Sequence, residues 1–341
     1  MNRRLFLLSL PGLLGCSSGK TRRLNVFNWS DYVAPDTIPN FEKEFAVSIR
    51  YATYESNEEM LAKVMAGNSG WDVVFPSNYV ILPMLENNLL APLDHRRLAG
   101  GLDHLAKQFQ APSWDSDLKW CVPYMWGGTG IVYNRSVTPP PESWADLWSD
   151  RHGGRLTMLD DPAEVLAACL LKLGYSLNST DPAELGQAKQ EAIAQKQFLR
   201  AYLNAEVQDQ LVAGDILTAQ LWATTSALAM HGNTDLRFCY PREGFPLYAD
   251  NAAILRESSQ PELAHDFLEY LLRPEVAAEV AMKAETATAN GAAIEKMPQR
   301  VRDNATLFPS DETLARGEWF AAMASEAQQL RDRLWTEIKS A

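Results

Sequence analysis

The sequence predicts an α/β protein with a mostly parallel sheet, folded as two halves around one cleft. Three observations carry this reading. Strand-like and helix-like segments alternate from Leu24 onward, the order that places helices over a parallel sheet. The length, 341 residues, asks for two domains or one large one. At four separated places a strand end delivers an aromatic ring, a carboxylate or both: Trp29/Asp31/Tyr32, Ser77/Tyr79, Asp161/Glu164, and Trp222 followed by Tyr248/Asp250. Open α/β sheets hold ligands beyond the carboxyl ends of their strands. These edges therefore point to one shared hollow, acidic and walled by aromatic rings.

Leu24 to Phe27 is the first strand, and it empties into Trp29-Ser30-Asp31-Tyr32. Ring faces attract a cation and a carboxylate pairs with it, so this edge suits an amine. A plainer role also fits, with Trp29 and Tyr32 in the core and Asp31 capping the next helix. Asp36 to Phe45 reads as that helix. Val47, Ile49, Tyr51 and Thr53 then alternate with polar or small residues, the period of a half-buried strand. Ser56-Asn57-Glu58-Glu59 is a capping box for a helix to about Met65. Trp71 to Phe75 is a short strand ending in Pro76-Ser77, and Asn78 to Asn87 is the helix after it.

Leu93 to Lys119 is looser. From Trp120 to Asn134 two extended apolar segments flank Gly127-Gly128-Thr129-Gly130. The glycines lack the lysine of a phosphate loop and the spacing of a dinucleotide loop. They fit either a crossing between halves or a close approach of backbone to ligand. Thr138 to Pro141 is a stiff connector, and Ser143 caps a short helix. Arg155 to Leu159 is a strand, followed by Asp160-Asp161-Pro162-Ala163-Glu164 at the start of a helix to Leu173. Carboxylates are stabilised at a helix N-terminus in any case, so capping competes with ligand binding as their role. Ala219 to Trp222 is a strand end. Arg237 to Pro241 is a strand, Glu243-Gly244 turns the chain, and Pro246 to Leu255 is extended. Helices follow at Pro261–Leu272 and Pro274–Ala284. The last runs from about Glu318 to Lys339, where Trp319, Met323, Ala327, Leu330, Leu334 and Ile338 form one apolar stripe.

Composition narrows the partners. With 46% hydrophobic and 22% charged residues this is an ordinary globular chain. A net charge of −12 argues against nucleic acid or an anionic membrane as a partner of the folded body. The start is more specific. Met1-Asn2-Arg3-Arg4 is basic, and Leu5 to Leu14 is apolar but too short to span a bilayer, so residues 1–16 read as an export signal. Leu13-Leu14-Gly15-Cys16 resembles the lipobox of bacterial lipoproteins, in which Cys16 is lipidated. An ordinary cleaved signal is the alternative. Asn2-Arg3-Arg4-Leu5-Phe6-Leu7 is also similar to a twin-arginine signal, with Asn2 in place of the usual Ser or Thr. Residues 17–23 form a polar linker. Of the other cysteines, Cys169 lies in an apolar helical stretch, and a Cys121–Cys239 disulfide is permitted but not demanded. The spacings fit no zinc site.

Several separated stretches resemble the spermidine/putrescine-binding proteins of bacterial ABC transporters. They are Asn28-Trp29-Ser30-Asp31-Tyr32-Val33, Tyr54-Glu55-Ser56-Asn57-Glu58, Asp72-Val73-Val74-Phe75-Pro76-Ser77, Pro123-Tyr124-Met125-Trp126-Gly127, Trp144-Ala145-Asp146-Leu147-Trp148, Tyr270 to Val276 and Gly317-Glu318-Trp319. The likeness is colinear from Leu24 to the C-terminus. It implies the two-lobed periplasmic-binding-protein fold (type II), with a ligand cleft between the lobes. Carried onto this chain, residues 24–128 and 251–294 form lobe I, and 129–250 and 295–341 form lobe II. The resemblance implies ligand contacts at Trp29, Ser30, Asp31, Tyr32, Ser77, Tyr79, Asp161, Glu164, Trp222, Tyr248 and Asp250. It also implies a polyamine ligand, an ABC permease as partner, a monomer held to the membrane only by the N-terminal lipid, a periplasmic location, and no cofactor or metal. Three positions depart from the family pattern: Thr225 stands where some members carry aspartate, Thr286 where a tyrosine is usual, and Phe320 where spermidine-type members have glutamine.

The expected mechanism follows from the ligand. Rings would cover the methylenes of a polyamine while Asp31, Asp161, Glu164 and Asp250 pair its ammonium ends. A cation bridging the lobes favours the closed state, because only that state pairs both ends. A carboxylate-dependent glycosidase is the alternative from another class, and a polyamine sensor is a third reading.

Overall fold

The computed structural model describes residues 22–30 and 32–341. The export signal, Cys16, all but the end of the linker, and Asp31 lie outside those residues.

The opening alternation is as expected. Strand β1 (Arg23–Trp29), helix α1 (Thr37–Phe45), strand β2 (Ser48–Tyr54), helix α2 (Asn57–Met65), strand β3 (Val73–Val74) and helix α3 (Ile81–Glu86) follow one another. Ser56 caps α2 by accepting the Glu59 N–H at 3.1 Å, while Glu59 reaches back to the Glu55 N–H at 3.2 Å. Helix α4 (His95–Leu102) occupies part of the stretch expected to be loose.

The region around the glycines departs from expectation. Cys121–Asn134 is not two segments flanking the glycines but a single strand, β4, of 14 residues. It changes partner at Gly128 and Thr129, from the strand Phe245–Ile254 to the strand Thr218–Trp222, the crossing that one reading of the glycines expected. The glycines make room for rings from neighbouring strands. A Cβ on Gly127 would lie 2.6 Å from the Tyr248 hydroxyl, and one on Gly130 would lie 2.5 Å from the Cys239 carbonyl oxygen and the Phe238 ring. Their role is close packing within the sheet.

The second half repeats the alternation. Strand β5 (Leu156–Met158), helices α5 (Pro162–Lys172) and α6 (Pro182–Gln195), strand β6 (Leu199–Tyr202), helix α7 (Val207–Ala213), strand β7 (Thr218–Trp222), helix α8 (Ala223–Gly232) and strand β8 (Leu236–Cys239) come in order. Strand β9 (Phe245–Ile254) then returns toward the first half, followed by α9 (Pro261–Leu271), α10 (Pro274–Ala284), β10 (Ala287–Thr288) and α11 (Gly291–Lys296). Short helices α12 (Gln299–Arg302) and α13 (Asp311–Leu314), strand β11 (Gly317–Trp319) and helix α14 (Ser325–Ser340) complete the chain.

The final helix therefore begins at Ser325, not Glu318. Trp319 instead lies in β11, paired parallel to β9, and its ring packs on Phe109, Trp114 and Trp126. The apolar stripe holds for Leu334 and Ile338, which are buried where α14 meets α5 and α6.

The strands form one path, β2-β1-β3-β9-β4-β7-β5-β6. The β2-β1-β3 flank is parallel, and so is the β7-β5-β6 flank. The two long antiparallel strands β4 and β9 join the flanks. Cys121 to Gly128 of β4 pair with β9, and Thr129 to Tyr133 pair with β7. Each flank has its own apolar cluster, around Phe27, Tyr54 and Trp71 on one side and Val132, Leu159 and Leu211 on the other. This is the two-lobed α/β fold, with the carboxyl ends of both parallel flanks facing a common cleft. Cys121, Cys169 and Cys239 are all unpaired.

Candidate ligand-binding cleft

A cavity of about 240 Å3 sits between the two flanks. All ten described candidates (Trp29, Ser30, Tyr32, Ser77, Tyr79, Asp161, Glu164, Trp222, Tyr248 and Asp250) line it. Asp31 lies outside the described residues.

The first flank supplies one wall. Trp29 ends β1, and its indole N–H donates to the Phe75 carbonyl at 2.8 Å, which fixes the ring between β1 and β3. Tyr54, the last residue of β2, donates to the same oxygen at 2.6 Å and packs on Trp29 with centroids 4.6 Å apart. Asn57, at the start of α2, donates to the Ser77 hydroxyl at 3.0 Å and to the Tyr79 hydroxyl at 2.8 Å.

Asp250, on β9, is buried. Ser77 donates to its Oδ1 at 2.7 Å and Tyr32 to its Oδ2 at 3.0 Å. Burial pushes this carboxyl up to about 6, and the two hydroxyl bonds oppose that rise. The group is thus ionised at neutral pH but held without a counter-charge.

The second flank supplies the opposite wall. Asp161 ends the β5 edge and caps α5, accepting the N–H groups of Ala163 at 2.8 Å and Glu164 at 3.1 Å. Pro162 fits the first helical position, where no N–H is needed. Capping and cavity lining are therefore compatible in Asp161, because only Oδ1 is used by the helix. One turn in, Glu164 is buried. Its Oε1 accepts Thr129 at 2.8 Å and the Trp222 indole at 3.0 Å, while Oε2 has no partner. Burial raises both carboxyls. The Asp161 charge raises Glu164 further, and the Glu58 and Asp160 charges add to the rise of Asp161.

Sequence reasoning missed several lining residues. Glu55 and Glu58 follow β2 as Ser30 and Tyr32 follow β1, so the same strand-edge signal was available. Asp160 lines the rim, tied to Lys339 of α14 at 2.6 Å. Asn204 and Gln208 come from a stretch with no local signal. Thr225 and Phe320, two of the family departures, line the cavity; Thr286 does not, and bonds to Thr224 instead.

The charge balance is one-sided. Six carboxylates line the cavity, at Glu55, Glu58, Asp160, Asp161, Glu164 and Asp250, with no lysine, arginine or histidine among the described lining residues. Six rings interleave with them: Trp29, Tyr32, Tyr79, Trp222, Tyr248 and Phe320. Such a cavity attracts a slender organic cation and repels anions. Among the described residues no acidic, cysteine or histidine group has a metal-binding arrangement, and no helix is long and apolar enough to cross a membrane.

Comparison with known proteins gives a consistent picture. The chain is 32% identical over 311 residues to the spermidine/putrescine-binding periplasmic protein of Escherichia coli, covering 90% of this chain and 89% of that one. It is 30% identical to a putrescine/cadaverine-binding protein of Pseudomonas aeruginosa, over 99% of both. The solved structure of a spermidine/putrescine ABC transporter substrate-binding protein from Streptococcus pneumoniae superposes with a TM-score of 0.83 at 28% identity, over 94% of this chain and 99% of that one. Residues 37–309 match the bacterial extracellular solute-binding proteins, and the chain belongs to that family.

Proposed function

We propose that this protein captures a polyamine of the putrescine/spermidine class outside the cytoplasm and presents it, enclosed between two lobes, to an ABC permease. The observation that carries the proposal is the six-carboxylate, six-ring cavity with no basic residue among its described lining. The relatives named for spermidine, putrescine and cadaverine support it. The lobes run over residues 24–128 with 251–294, and 129–250 with 295–341. The chain acts as a monomeric binding protein, not an enzyme, and is held to the membrane by lipid on Cys16.

Each part of the cavity has a role in this reading. The rings cover the methylenes, each ring–cation contact contributing about 0.5–2 kcal/mol. Asp250, with Ser77 and Tyr32, takes one ammonium group. Asp161 and Glu164 take another, and Asp31 and Ser30 complete the first edge. Micromolar binding requires about −8 kcal/mol, which a few such contacts supply once closure excludes water.

A thermal-shift titration tests the proposal. Putrescine or spermidine at a hundredfold excess over Kd should stabilise the folded chain by about 2.7 kcal/mol, seen as a rise in Tm, and glutamate should not. No shift with millimolar polyamine overturns the reading. A different organic cation is the second reading, favoured by Phe320 and Thr225, which put an apolar ring and a neutral hydroxyl where the family resemblance leads one to expect polar anchors in some members. The same titration with quaternary amines separates the two.

A further inference from the structure

We infer that a polar clasp beside the hinge, formed by His231 and Thr224 of α8 with Glu285 and Thr286 after α10, holds the cleft shut and sets how fast ligand leaves. His231 Nδ1 lies 2.7 Å from Glu285 Oε1, and Thr224 Oγ1 lies 2.9 Å from Thr286 Oγ1. Helix α8 leads out of β7 and packs on α7, β7, β8 and the crossing strand β4, so it is anchored to the second flank beside the crossing. The 285–286 turn joins α10 to β10, which pairs with Met125 and Trp126 in the first part of β4. The two ties therefore link elements on either side of the place where β4 crosses from one flank to the other. Thr286 also donates to the Trp126 carbonyl at 3.4 Å, fastening the clasp to the crossing strand itself.

The clasp sits on the ligand side of that crossing. Thr224 and Leu228 of α8 and Ala284 of α10 all line the cavity, so α8 and the end of α10 meet at its wall. A rotation that opens this wall must lengthen both ties before ligand can leave. The turn is also built under strain, because Glu285 sits at φ 49°, a left-handed conformation that favours glycine. A glutamate there keeps a side chain able to reach His231. Thr286 stands where the family resemblance leads one to expect a ring; here it supplies a tie between the flanks instead.

The expected effects are modest. The His231 side chain is 63% exposed and its pair with Glu285 is partly screened, whereas the Thr286 hydroxyl is buried. Removing one neutral hydrogen bond of this kind changes an equilibrium by up to about tenfold, and an exposed pair changes it by less.

The test uses the whole mature chain and putrescine as probe, and in that arm it rests on the polyamine reading. Stopped-flow tryptophan fluorescence should show release from Thr286→Val accelerated about three- to tenfold, and from Glu285→Ala and His231→Ala about two- to threefold. Association should stay within twofold of the parent. Unchanged release in all three, or a loss confined to association, overturns the clasp. His231→Ala, at an exposed site, keeps the test intact if Thr286→Val misfolds. A second arm needs no ligand: small-angle scattering of the unliganded chain should show a larger radius of gyration in Glu285→Ala and His231→Ala than in the parent. Equal radii also overturn the clasp. A parent chain that binds no polyamine defeats the functional reading alone, and the scattering arm then decides the clasp.

Discussion

The two ends of the cavity solve the same problem differently. At one end a single carboxylate, Asp250, has both oxygens engaged by hydroxyls, from Ser77 and Tyr32. At the other end the Asp161 charge raises the proton affinity of Glu164, and Glu164 Oε2 has no partner. The first end is pre-organised: hydrogen bonds hold its charge in place before any ligand arrives. The second is frustrated, since two adjacent buried carboxyls with an orphaned oxygen cannot both ionise without an added cation, and burial and the Asp161 charge hold Glu164 toward its protonated form. Energy withheld from the empty cleft at that end is recovered on binding, and this favours closure around the right ligand.

Substitutions can break or sharpen this contrast. The largest effect belongs to Asp250→Asn, because Asp250 is buried with both oxygens fixed toward the cavity wall by Ser77 and Tyr32. Polyamine affinity should fall at least tenfold and as much as about a hundredfold, while the Tm of the empty protein stays within about 2 °C. An equal loss of stability would make Asp250 a structural residue. Glu164→Gln comes next. Asp161 remains beside it, so calorimetry should record a loss of about tenfold, while the ligand-free Tm at neutral pH stays within about 2 °C because Glu164 is already held toward its protonated form. A clear rise in Tm would show that Glu164 is charged in the empty cleft. Trp222→Phe keeps an aromatic wall but removes the indole bond to Glu164, and should weaken binding only about threefold.

A separate effect is on ligand-free stability with pH. The Asp250 carboxyl is raised in the folded state, so its contribution to stability is fully present below the unfolded carboxylate value near 4. It is lost as pH rises through about 6. Each tenfold change in proton affinity on folding corresponds to roughly 1.4 kcal/mol, and the rise from near 4 to about 6 is about two such steps. Removing this group should therefore flatten the decline in stability between about pH 4 and 6. A parent and an Asp250→Asn chain with superimposable pH–stability curves would show that burial does not raise this carboxyl.

Much of this cleft was legible in the sequence because strand edges leave local marks. Trp29-Ser30-Asp31-Tyr32 closely follows the short strand Leu24 to Phe27, and Asp161-Pro162 followed by Glu164 is both a cap and an acidic edge. The same logic applied to Tyr54-Glu55 would have found Glu55 and Glu58. Other parts left no mark. Trp319 continues the helical spacing of Met323 and Ala327, yet its ring is claimed by Phe109, Trp114 and Trp126, and pairing with β9 holds its backbone extended. Gly127 and Gly130 read as an interruption between two extended segments because glycine usually weakens strands. The need they meet, space for Tyr248 and Phe238, comes from partners more than a hundred residues away. Asn204 and Gln208 reach the cavity only because α7 follows β6 on the far flank.

The central claim is that fixed negative charge from both flanks closes on a multivalent cation. Calorimetric titration of spermidine at pH 8 and at pH 5 tests it most directly. Lowering the pH protonates Asp250 on one flank and Asp161 and Glu164 on the other, so affinity should be at least about tenfold weaker at pH 5 than at pH 8, with one ligand bound per chain at both. Affinity that is equal at the two pH values, or stronger at pH 5, would contradict the account.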